Sequence, residues 1–133
     1  MSQSEHAFSK DDENQVLDAL RVWLEKEVRP EVKHFDHDDE YPHEIVKQMK
    51  EMGLFGLMYR PEDGGLGMNA TAYANVIMLI TETWMSLAGV INTHMMLGQL
   101  IGRFGTDAQK QVYLPRLATG ELHGVLCLTE PDA

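Results

Sequence analysis

Between Asn69 and Phe104 the chain is apolar around much of the circumference of any helix it forms, and this stretch constrains the fold most. Asn75, Glu82, Asn92, His94 and Gln99 interrupt it, so no clean run approaches the roughly 20 apolar residues that a membrane span needs. A helix that is apolar on most sides must instead be covered by protein, which makes this stretch the centre of a helical bundle. Asn69 or Thr71 suits the start of one central helix, and a second runs from about Met85 to Phe104, with Gly105 closing it.

The flanking segments supply amphipathic helices to cover that centre. Ser9 followed three positions later by Asp12 gives an N-terminal capping signal. Val16, Leu17, Leu20, Leu24 and Val28 then recur at three- to four-residue spacing until Pro30 ends or bends the helix. Pro42 suits the first turn of another helix, whose apolar face is Ile45, Val46, Met49 and Met52. The run Pro61-Glu62-Asp63-Gly64-Gly65-Leu66-Gly67 forces a structured loop. Thr106 and Gln109 form a second capping box, opening a helix near Gln109 to Leu114 that Pro115 bends and Thr119-Gly120 ends. The character changes at Leu122 to Thr129, where Val125, Leu126, Cys127 and Leu128 read as a β-strand. One strand cannot satisfy its own backbone groups, so its partners are expected in sequence beyond these 133 residues.

The expected fold is therefore all-α: a bundle of about five to six helices with a short C-terminal β-strand. The boundary falls between a helical domain at 1–121 and the first strand and turn of another at 122–133.

Charge narrows the partners. Eleven Lys and Arg stand against 21 Asp and Glu, a net charge of −10, and no basic cluster breaks the pattern. Such a surface repels phosphate backbones, which excludes nucleic acid as a partner. The single cysteine, Cys127, forms no internal disulfide. Flanked by leucines in a strand, it is expected to be buried and inert. Met1 to Lys10 has neither a positive nor an apolar signal region, which points to the cytoplasm or an organelle matrix.

Three segments in register resemble the acyl-CoA dehydrogenase family. Met52-Gly53-Leu54-Phe55-Gly56 with Arg60-Pro61-Glu62-Asp63-Gly64-Gly65-Leu66-Gly67 resembles its helix-to-loop signature. Phe104-Gly105-Thr106, Gln109-Lys110-Gln111 and Tyr113 to Glu121 resemble the next, and Leu128-Thr129-Glu130-Pro131-Asp132-Ala133 resembles its strand-and-turn motif at the flavin. The similarity runs from about residue 10 to the end.

The resemblance implies the helical N-terminal part of a three-domain FAD enzyme that dehydrogenates acyl-CoA thioesters. In such enzymes a glutamate removes the α-proton, the β-hydride passes to the flavin, and electrons leave through electron-transferring flavoprotein. Acyl-CoA oxidases and flavin monooxygenases share this half and are the alternatives within the fold. A stand-alone helical module that binds an acyl chain or a partner is the alternative outside it.

The family's glutamate lies far downstream of the strand-and-turn motif, so Glu62, Glu82, Glu121 and Glu130 are not candidates and no catalytic residue is assigned. The cofactor contacts that the resemblance implies are Leu126, Leu128 and Thr129, where a strand end offers main-chain donors and Thr a hydroxyl. The family often carries an aromatic residue at the place of Leu126, and the Gly-Ser-Asp that usually follows its motif is not in the chain. The implied acyl-chain contacts are Gly89, Asn92 and Met96, facing inward from the second central helix. The intact enzyme is expected to be a homo-oligomer, and this piece alone is expected to be inactive and to bind flavin weakly.

Other residues have plainer roles. Met49, Met52, Met78, Met85, Met95 and Met96 at helical spacing are expected to be core, His94 a hydrogen-bonded core histidine, and Trp23 and Trp84 packing residues. The His-rich stretch His34 to His43 lacks a settled metal template and reads as a solvated link. No metal site is expected.

Overall fold

The computed structural model describes residues 8–125 and 127–131. Helix α1, Lys10–Trp23, starts at the expected capping box. The amide of Asp12 donates to Ser9 Oγ at 3.1 Å, and the Ser9 amide donates back to the Asp12 carboxylate at 2.8 Å. The helix then loosens into one π-turn at Leu24–Val28, where the Arg29 amide reaches back to the Leu24 carbonyl at 2.8 Å, just before Pro30. Helix α2, Val32–Asp38, orders much of the stretch read as a solvated link, and it ends at Asp39 in the left-handed region. Helix α3, His43–Glu51, follows Pro42. The expected loop then runs as two short 3-10 turns, Leu54–Gly56 and Pro61–Asp63.

The two central helices are α4, Ala70–Thr83, capped by the Asn69 side chain, and α5, Met85–Phe104. Trp84 alone separates them, with extended backbone. Helix α6, Asp107–Ala118, opens at the Thr106–Gln109 box and carries Pro115 through its last turns without breaking. It begins at Asp107 rather than at Gln109 because Thr106 caps it.

Helix α4 lies against α5, α5 against α6, and α1 against α4. Their common core includes Leu20, Leu24, Phe55, Val76, Ile80, Leu87, Ile91 and Leu117. Burial of apolar area at about 25 cal/mol per Å² is the main force holding these helices together. Polar ties set the register: Asn75 on α4 donates to the buried Glu13 of α1 at 2.7 Å, and the Trp23 indole donates to Gln48 at 2.7 Å. Both tryptophans pack as expected. Trp84 is 7% exposed, stacks on Phe35 at 5.8 Å and donates to Asp36 at 2.8 Å.

Three expectations are corrected. The short C-terminal β-strand is not formed among the described residues: 123–125 and 127–130 belong to neither helix nor sheet. A strand exists only as part of a ladder, and these residues have none to join. Cys127 is consequently exposed rather than buried. Among the methionines, Met49 and Met95 are core at 0% and 2% exposed, whereas Met78, Met85 and Met96 are 63%, 72% and 46% exposed. Among the described residues no helix is long and apolar enough to cross a membrane.

Candidate functional site

Gly89, Asn92 and Met96 fall on one side of α5, since positions three and four apart share a helix face. Among the described residues, Gly89 and Met96 on that side are exposed and Asn92 is half-buried. Asn92 and Met96 line an apolar groove of ≈ 430 Å³ with Met58, Tyr73, Met95, Gln99, Leu100, Arg103 and Phe104. Gly89 lies one turn earlier, exposed, with open space where a side chain would stand. The sequence thus points to two of the groove's walls. It misses Tyr73 and the exposed Leu100 and Phe104, although Met96, Leu100 and Phe104 recur every four residues.

One hydrogen bond sets the polar end of the groove. The Tyr73 hydroxyl on α4 donates to Asn92 Oδ1 on α5 at 2.6 Å. Burial pushes that phenol up to about 12, so it stays protonated and keeps donating at any physiological pH. The bond orients the Asn92 amide and leaves its NH₂ as the free donor. Among the described residues no aspartate or glutamate lines the groove.

The groove adjoins a second cleft of ≈ 310 Å³, the two sharing Met58, Gln99 and Arg103. Arg60, Arg103 and Lys110 bring three cations to that cleft against Asp63, in a chain whose net charge is −10. Arg60 is held by Glu62 at 2.9 Å and by Asp63 at 2.9 Å, and Arg103 lies 5.3 Å from the Phe104 ring centre. Gly98, packed against the Tyr59 ring, and the exposed Gly102 lie in the wall of the cleft. An apolar trough thus opens at Arg103 into a cationic end.

The implied flavin contacts lie elsewhere. Leu128 is 74% exposed and Thr129 is also exposed, whereas Leu126 lies outside the described residues. An exposed hydroxyl and main chain outside any ladder are compatible with a flavin edge approaching from beyond the bundle. They do not by themselves enclose one.

The model of the acyl-CoA dehydrogenase N-terminal domain matches residues 10–121. The chain belongs to the acyl-CoA dehydrogenase family. It is 34% identical over 127 residues to an acryloyl-CoA reductase (NADH) of Anaerotignum propionicum, covering 95% of this chain and 32% of that protein. It is also 34% identical over 119 residues to a short-chain-specific acyl-CoA dehydrogenase of Clostridium acetobutylicum, covering 89% of this chain and 31% of that one. The fold matches a glutaryl-CoA dehydrogenase of Mycobacterium smegmatis in complex with FADH2 with a TM-score of 0.80 at 25% identity, over 98% of this chain and 34% of that one. The chain therefore spans about a third of the length of these two relatives.

Proposed function

We propose that this chain forms the helical wall of an FAD-dependent acyl-CoA dehydrogenase. In this reading Asn92 and Met96 line the acyl chain, Gly89 leaves room beside it, and Leu128 and Thr129 meet the flavin with Leu126. The observation that carries the reading is the exposed apolar side of α5, Met96, Leu100 and Phe104, which continues into the cleft of Arg60, Arg103 and Lys110. A ligand with an apolar tail and an anionic carrier suits that sequence of surfaces. Met suits an irregular apolar ligand because its thioether is flexible and polarizable.

The chain's own residues bind and orient; they do not supply the base. In the family that the chain resembles the glutamate that removes the α-proton lies downstream of the strand-and-turn motif, so in this reading the base comes from another part of the active enzyme. Bound flavin would take up the β-hydride. Tyr73 and Asn92 supply the polar contact along an otherwise apolar wall, and Leu100 and Phe104 exclude water from it. Electron-transferring flavoprotein is the expected electron acceptor.

The test is anaerobic turnover by the protein that carries this chain. A straight-chain acyl-CoA should reduce its flavin, and an acceptor dye should reoxidise it much faster than dioxygen does. Reoxidation by dioxygen at the dye's rate would assign the protein to the oxidases that share this fold.

A further inference from the structure

His94 belongs to the packed side of α5, away from the groove, and is 1% exposed. Its ring touches three separate pieces of the chain. The Gly124 amide lies 3.4 Å from Nδ1, the Leu117 carbonyl 3.0 Å from Nε2, and the Tyr59 hydroxyl 3.4 Å from Nε2. A peptide N–H can only donate, so Nδ1 is the bare nitrogen and the proton of the neutral ring sits on Nε2, directed at Leu117. One rigid ring thus accepts from the segment after α6 and donates to the end of α6.

Three further contacts hold the same segment. His123 stacks on Phe55 at 4.6 Å and 16°. Gly124 approaches α5 so closely that a Cβ on it would stand 2.0 Å from Leu97 Cδ2, so a larger residue keeps its amide near His94 only if the Leu97 side chain turns aside. The Leu122 amide also donates to the Arg116 carbonyl at 3.1 Å. An apolar residue in place of His94 would leave a buried donor and a buried acceptor unpaired, and a permanently charged one would be stranded in a dry site.

We propose that His94 is a positioning residue: as the Nε2–H tautomer it anchors the Gly124 peptide on α5 and so sets where Leu128 and Thr129 meet the flavin. The purpose of the anchor rests on the flavin reading above; the anchor itself does not. Five residues separate Thr129 from Gly124, a reach of at most roughly 18 Å even when fully extended, so the fixed end bounds where Thr129 can lie.

The experiment compares two substitutions that separate the ring's two bonds. His94→Asn keeps an acceptor near Nδ1, and His94→Gln keeps a donor near Nε2. Amide exchange by NMR in the 133-residue chain should show Gly124 exchanging roughly fivefold faster or more in His94→Gln, and within about twofold of the parent in His94→Asn. Long-range ¹H–¹⁵N correlation in the unsubstituted chain should show the proton on Nε2. A proton on Nδ1, or equal exchange in both variants, overturns the proposal, and the tautomer measurement decides it even where a variant does not fold. FAD titration of the intact protein that carries this chain, followed by flavin fluorescence, separates the two readings. Exchange as expected without any FAD binding removes the flavin role and leaves the anchor. Unaltered exchange alongside FAD binding removes the anchor and leaves the flavin reading.

Discussion

Along one side of α5, Leu87, Ala88, Ile91, His94 and Gly98 are buried against the rest of the bundle; along the other, Met85, Gly89, Met96, Leu100 and Phe104 face outward. The two sides differ little in apolar content, yet only one is closed by this chain's own helices. The first side holds the fold together and ties down the segment at Gly124. The second is an apolar wall left exposed among the described residues, next to a cationic cleft. Burial, not composition, separates the stabilising face from the face that is free to bind.

Substitutions on the two faces should therefore differ in size. Ile91→Ala, at 0% exposed, should cost about 2–5 kcal/mol of stability in urea unfolding, because it removes packed methyl groups and leaves a cavity. Leu100→Ala, at 41% exposed, should cost less than about 1 kcal/mol. Equal losses would erase the distinction between the faces.

The two glycines sharpen it further, with opposite signs expected. A Cβ at Gly98 would stand 1.9 Å from the Tyr59 hydroxyl, so Gly98→Ala should displace that ring and destabilise by about 1–3 kcal/mol. At Gly89 nothing lies within 4 Å, so Gly89→Ala should stabilise by roughly 0.5–1 kcal/mol through helix propensity. Thermal unfolding followed by circular dichroism reads both.

The packed side should also carry a pH dependence. Burial, aided by His123 and Lys50, holds His94 below the usual histidine range despite the bond to Leu117, and burial with Lys50 lowers His123 as well. The unfolded chain then takes up these protons first. Their contribution is complete above about pH 6.5 and is lost as pH falls through the lower folded values. The melting temperature should fall between pH 7 and 5, and by less in His94→Asn. A melting temperature that rises on acidification would contradict the neutral buried ring.

How much of this was legible in the sequence follows from the range of each interaction. Ser9, Asn69 and Thr106 are caps whose partners lie three residues away, so residue type and spacing reveal them. The resemblance set Gly89, Asn92 and Met96 facing inward, whereas Gly89 and Met96 are exposed on the open side of α5 and Asn92 is half-buried. Helical spacing could not say which side of α5 is covered, because apolar residues on both sides leave the pattern without a phase; Met85 and Met96 were read as core for that reason. The strand at 122–129 failed differently: its side chains fit a strand, but a strand is a property of two segments, and the exposure of Cys127 follows. Tyr73 meets Asn92 only through the packing of α4 on α5, which nothing local encodes.

The methionines allow the most direct test of the claim that the open side of α5 is an acyl-binding wall. With ¹³C-methyl methionine in the chain, titration with a straight-chain acyl-CoA should shift the methyl signals of Met58, Met95 and Met96, which line the groove. Met78 and Met85, exposed but outside it, should stay in place, and free coenzyme A should leave the groove signals far less changed. Shifts at Met78 and Met85 equal to those at Met96, or no shift at Met96 at acyl-CoA concentrations that shift other residues, would contradict it.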